Sequence, residues 1–83
     1  MTLNDCADRV ISADLLTMSL LEAVANLEIS RHAAIMAGDA HFADEAKREI
    51  GRQKAAARQA AAAAAALLRE FLAAEAVLAA EDA

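Results

Sequence analysis

Seven alanines in a row, Ala60 to Ala66, run straight into Leu67 and Leu68 with Phe71 close behind. They lie inside a longer stretch, Gln53 to Leu72, that holds nothing able to break a helix. Alanine loses no side-chain entropy on entering a helix, so this segment is predicted to be helical before any packing is considered. A helix clad in methyl groups is also thin, which lets a neighbouring helix approach closely. Few other folds accommodate such a segment. The chain has no Pro, Trp or Tyr and only two Gly, so strand and turn signals are sparse. The expected fold class is all-α.

Eighty-three residues make one small domain, 1–83, near the size at which a single core supplies only a few kcal/mol. The hydrophobic fraction of 59% overstates that core, because each alanine buries little more than a methyl group, about 0.8 kcal/mol. A second copy or another protein is therefore expected to complete the packing. The architecture that follows is an antiparallel hairpin of two long helices, with dimerisation into a four-helix bundle as its simplest extension.

The first helix is predicted over about 3–37, beginning near Thr2, with Asn4 and Asp5 set against its free backbone N–H groups. In IMAGDAHF, Gly38 suits the left-handed position past a helix C-terminus and Asp39 suits the N-cap of the next helix. The turn is thus placed at 38–39 and the second helix at about 40–80. Arg31 and His32 come close to the outgoing C-terminus, where positive charge is favourable. So short a connection makes the helices antiparallel neighbours.

From Val10 to Met36 apolar residues cover most of the first helix, leaving a polar stripe through Ser12, Ser19, Asn26 and Ser30. Such a helix calls for more than one neighbour. One seam runs through Cys6, Ala13, Leu20, Leu27 and Ala34 with Val10 and Val24; another runs through Ile11, Met18, Leu21 and Ala25. One would face the second helix and the other a partner. The candidate partner-binding residues are accordingly Ile11, Leu16, Met18, Leu20, Leu21, Val24 and Leu27. On the second helix a heptad reading aligns Ala43, Ile50, Ala57, Ala64, Phe71 and Leu78, with Ala46, Gln53, Ala60, Leu67 and Ala74 beside them. Gly51 falls within it and marks a close approach, a kink or a break; a continuous helix is expected, because no N-cap residue follows it directly. Folding about the turn sets Leu67, Phe71 and Leu72 against Cys6, Val10 and Ile11, so that the larger residues grip above and below the alanine waist, at Ile50 and at Leu67 to Leu72, and make the ends the strong part of the hairpin. It also lays the basic segment along the acids of the first helix.

The net charge of −5 hides a basic segment, Lys47, Arg48, Arg52, Lys54 and Arg58, between two acidic ones. Five cations in twelve residues suit a phosphate backbone, which gives an alternative reading as a dimeric hairpin regulator that binds nucleic acid. Against it, the cations divide into two facets, Lys47/Lys54/Arg58 and Arg48/Arg52, and the acidic flanks repel phosphate. Nucleic acid is the lesser expectation.

Chemistry-bearing patterns are few. Glu28 and His32 share a helical face, and in a bundle such a pair can contribute to a metal centre; a polar pair near the helix end is the plainer reading. His41 with Asp44 and Glu45 reads as a polar first turn. There is no glycine-rich phosphate loop, no nucleophile with a base at a known spacing and no zinc spacing. Catalytic residues, cofactors and metals are not expected, and neither is an enzyme. Cys6, the single cysteine, reads as a small apolar group. The N-terminal aspartates do not fit a secretory signal, and the longest uncharged run, Gln59 to Leu68, is half of the roughly 20 residues that span a bilayer. A cytoplasmic protein without a membrane segment is expected.

LLEAVANLEISR, then AGDAHF, then AARQAAAAAAALLREF give a leucine-rich helix ending in Arg, a Gly-containing turn, an early Phe, and an alanine-rich helix ending in Leu-Leu. In this order and in length the chain resembles the small helical-hairpin co-chaperones of type III secretion needle subunits. That resemblance implies a cytoplasmic partner of the tetratricopeptide-repeat type and a role in keeping an aggregation-prone subunit monomeric. It carries over no site residue. The expected function is a non-enzymatic interaction module, a small chaperone or assembly factor that buries an apolar helix face against a partner protein.

Overall fold

The computed structural model describes residues 2–82 as two helices, α1 over Leu3–Met36 and α2 over Ala40–Asp82, packed side by side as an all-α antiparallel hairpin. α1 opens on a capping box. The Thr2 hydroxyl accepts from the Asp5 N–H at 3.2 Å, and the Asp5 carboxylate accepts from the Thr2 N–H at 3.1 Å, so two otherwise unpaired donors are satisfied reciprocally. The Thr2 backbone N–H and then its hydroxyl hold the Asp5 carboxyl below its ordinary 3.8.

The joint between the helices follows from Gly38. Its φ of +76° lies in the left-handed region, and it lets the Gly38 N–H reach the Ile35 carbonyl at 3.1 Å and the Asp39 N–H reach the Ala34 carbonyl at 2.9 Å. These are the two bonds of a Schellman motif, which satisfy carbonyls at the helix end. Asp39 at once starts the next helix, its Oδ1 accepting from the Phe42 N–H at 3.0 Å. A Cβ at Gly38 would meet nothing within 4 Å, so the cost of Gly38→Ala is conformational and not steric. The expected loss is about 1–2 kcal/mol, read as a lower midpoint in urea with an unchanged slope; a neutral substitution would mean the turn relaxes to another geometry.

α2 is 43 residues long, about 65 Å at 1.5 Å per residue, and the long axis of the molecule measures 66 Å. Helix and molecule are equally long, so α2 passes through Gly51 straight. Nothing inside the hairpin needs a glycine there, since a Cβ would have no atom within 4 Å. α1 has 34 residues, and the last two turns of α2 extend beyond its start.

Of the two seams on α1, the one through Cys6, Val10, Ala13, Leu20, Val24, Leu27 and Ala34 faces α2, joined by Thr17 and Arg31. The Thr17 hydroxyl donates to the Ala13 carbonyl at 2.9 Å, which satisfies it within the apolar seam. α2 answers with the two expected heptad columns, from Ala43 and Ala46 through Ile50, Ala57, Ala60 and Ala64 to the half-buried Leu67, Phe71 and Ala74, but Leu78, expected to end the first column, is exposed. Among the described residues the buried core is Val24, Ile50 and six alanines.

The open end is not the strong part. Leu67 and Phe71 are only half-buried, and Ile11 and Leu72 lie outside the contact. An alanine methyl vanishes between two backbones, whereas a leucine or phenylalanine in a two-helix rod stands past the seam into solvent. The radius of gyration of 18.9 Å, against about 12 Å for a compact chain of this length, expresses the same geometry.

Candidate partner-binding face

The hairpin leaves much of the apolar surface of α1 uncovered. Ile11, Leu15, Leu16, Met18 and Leu21 are each more than half exposed, and farther along Ile29 reaches 69% and Met36 75%. Residues one step past the seam lie about 100° round the helix, and this rule places Ile11, Met18 and Ala25 in one row with Leu21 and Ile35 beside it. Applied to α2, it places Ala61 and Leu68 in one row and Gly51, Arg58, Ala65 and Leu72 in the next. These rows fall on the same side of the hairpin. A shallow groove there is lined jointly by Val10, Asp14, Thr17, Ala61, Ala65 and Leu68, and nearer the turn Lys54 Nζ on α2 lies 3.5 Å from Glu28 Oε1 on α1. One continuous face is the result, largely apolar in its middle, where Asp14 and Arg58 interrupt it, and charged toward both ends.

The candidate residues divide accordingly. Ile11, Met18 and Leu21 lie on this face, and Leu16 is exposed on the opposite flank of α1. Leu20 and Leu27 are half-buried and Val24 is 6% exposed, all three in the seam that α2 already covers. Sequence reasoning missed the contribution of α2: Ala61, Ala65, Leu68 and Leu72 complete the face. Their signal was present in the heptad columns, where each follows a seam residue by one position.

The basic segment is spread over the surface. Among the described residues one ion pair crosses between the helices, Lys54 with Glu28; Arg52 is held locally by Glu49 at 2.6 Å, and Arg48 Nε donates to the Asp44 carbonyl at 3.4 Å. Interhelical pairing thus takes up less of the block than expected, because Arg48 and Arg52 point away from α1. Glu49 also accepts from the Gln53 amide at 2.9 Å. The Gln53 amide first, and then Arg52, hold its carboxyl below the ordinary 4.5. Asp5 and Glu49 are both lowered by partners in the folded chain, so their contributions are full above 4.5 and fade as the pH falls through the lowered folded values. Carboxyl NMR titration is expected to show both midpoints below 3.8 and 4.5 respectively, with the first turn of α1 fraying in acid as Asp5 protonates.

Glu28 and His32 line a second depression with Arg31, Ile35, Lys47, Ile50 and Lys54. Its cations outnumber its carboxylate, an environment that suits an anionic group better than a metal ion. Within it the Arg31 Nε is buried with no hydrogen-bond partner. His41 pairs with Glu45 at 3.1 Å on an open surface. α1 is also long and apolar enough to cross a membrane by length and composition, with a mean hydropathy of 1.5 over its best 18-residue window, 6% of which is buried. The mostly buried core helices of water-soluble proteins and signal sequences near an N-terminus meet the same test.

Comparison with protein-family models, with curated proteins and with solved structures finds no match for this chain.

Proposed function

We propose that this protein is a non-enzymatic interaction module, a small chaperone or assembly factor whose exposed α1 surface is closed by protein. The observation that carries this reading is the inversion of its packing. The hairpin buries alanines and leaves Ile11, Leu15, Met18, Leu21 and Ile29 in solvent. An accessible surface of 5943 Å² is roughly a quarter more than the about 4,700 Å² expected of a compact monomer of this mass. Contiguous apolar surface of this kind marks an interaction site.

Protein fits that surface better than lipid, because Asp14 and Glu22 interrupt the apolar stretch of α1. An aspartate at the centre of a spanning helix costs about 2.5–3.5 kcal/mol. The chaperone class rests on the resemblance in helix order to the helical-hairpin co-chaperones, with a helical-repeat protein in the cytoplasm as the fitting partner.

The test is affinity capture from the source cell with the wild-type chain and a Met18→Glu/Ile29→Glu variant in parallel. Both positions are exposed, so the hairpin itself is not asked to bury a charge. A different protein retained in stoichiometric amount by the wild type and lost by the variant upholds the reading. Recovery of no other protein, or equal recovery by both, removes it.

A further inference from the structure

We infer that the two-helix face is closed by a second copy of this chain, turned end for end about a twofold axis at the level of Met18 and Ala61. This rests on the reading that α1 is covered by protein, and it names the first protein to cover it. The molecule measures 66 Å by 17 Å along its two longer axes, an outline of roughly 1,000 Å² against the about 800 Å² per partner of a stable interface.

A twofold interface must match its own reversal, and this face does so by its seven-residue spacing. With Ala61 on the axis, Lys47 of one copy comes level with Glu75 of the other. In the adjoining row Leu72 comes within one residue, about 1.5 Å along the helix, of Gly51. On α1, with Met18 on the axis, Ile11 comes over Ala25. At these positions positive meets negative and large meets small, while Lys54 comes level with Leu68 of the other copy.

Two features that the hairpin does not explain then acquire a purpose. Gly51 sits in the middle of a helix with open space where its Cβ would be, and the close approach of a leucine from the second copy is what its absent side chain permits. The guanidinium of Arg31, its Nε buried and unpartnered, lines the same depression as Lys47, toward which Glu75 of the second copy brings a carboxylate. Charge sets the direction. The half of the hairpin nearer the turn, residues 20–58, balances its acids and bases, so the net charge of −5 belongs to the open half. End-for-end pairing keeps the two open halves apart, whereas a parallel pair would set them side by side. Ile29 and Met36, toward the outer edge of α1, stay uncovered and remain available to a different protein.

Sedimentation equilibrium of the full chain at micromolar concentration is expected to give twice 8.7 kDa, with a melting temperature that rises with protein concentration. Lys47→Glu and Glu75→Lys each occur twice per dimer and are each expected to weaken association about ten-fold, while the two together restore it. Spin labels at Ala40→Cys in a Cys6→Ser background should lie farther apart than half of the 66 Å hairpin. A monomer with a concentration-independent melt, a short label separation, a charge swap that fails to rescue, or monomers that transfer to neutral phospholipid vesicles would each overturn the inference. A monomer that still captures another protein through α1 leaves the interaction-module reading standing. A dimer that captures nothing else upholds the self-association and removes the client.

Discussion

Ile50→Ala is expected to destabilise the hairpin by about 2–5 kcal/mol. Among the described residues only Val24 and Ile50 are both large and buried, at 6% and 8% exposure, and Ile50 stands where α2 is flanked by Arg31 and Glu28 of α1. The alanines above and below it have no spare volume with which to fill a cavity. A core of this size supplies about 3–5 kcal/mol in total, so the variant should sit near its unfolding midpoint in water. Urea titration followed by helical circular dichroism, at one fixed protein concentration, measures this directly. A loss below about 1 kcal/mol, the scale of an average surface substitution, would mean that the alanine contacts carry the hairpin.

Ala57→Leu is expected to destabilise by about 1–3 kcal/mol through overpacking, with Ala64→Leu adding a comparable amount because the sites are about 10 Å apart. Local rules point the other way, since leucine is nearly as good a helix former as alanine and far more hydrophobic. The sign is reversed by position. Ala57 and Ala64 are buried between α1 and α2 at 5% and 6%, and a leucine there must push the two helices apart. Ala62→Leu, on the exposed side of the same alanine run, should lie within about 0.5 kcal/mol of wild type. If Ala57→Leu and Ala62→Leu behave alike, the waist is loose and the thin-helix account of the alanine run is wrong.

Much of the fold was legible in advance because its determinants are local. Gly38 and Asp39 announce one turn by backbone chemistry alone, and the heptad columns from Ala43 to Phe71 can be counted from the letters. The face was less legible. Two apolar seams on α1 compete on equal terms in the sequence, and Leu20, Val24 and Leu27 looked as available as Ile11, Met18 and Leu21. Nor does hydrophobicity say that Leu67 and Phe71 would be half-covered while Ala57 and Ala60 are buried. That outcome depends on how closely two backbones approach, which is a property of the pair and not of either helix.

The sequence by itself therefore determined the helices, their ends and their antiparallel order, since propensity, capping and chain reversal act within a few residues. Only the tertiary structure decided which seam of α1 is spent on α2, and that α2 contributes Ala61, Ala65, Leu68 and Leu72 to the surface that remains. Rotation of a helix about its own axis is set by its neighbour, because every apolar row gains equally from burial until one backbone comes close enough to exclude the others.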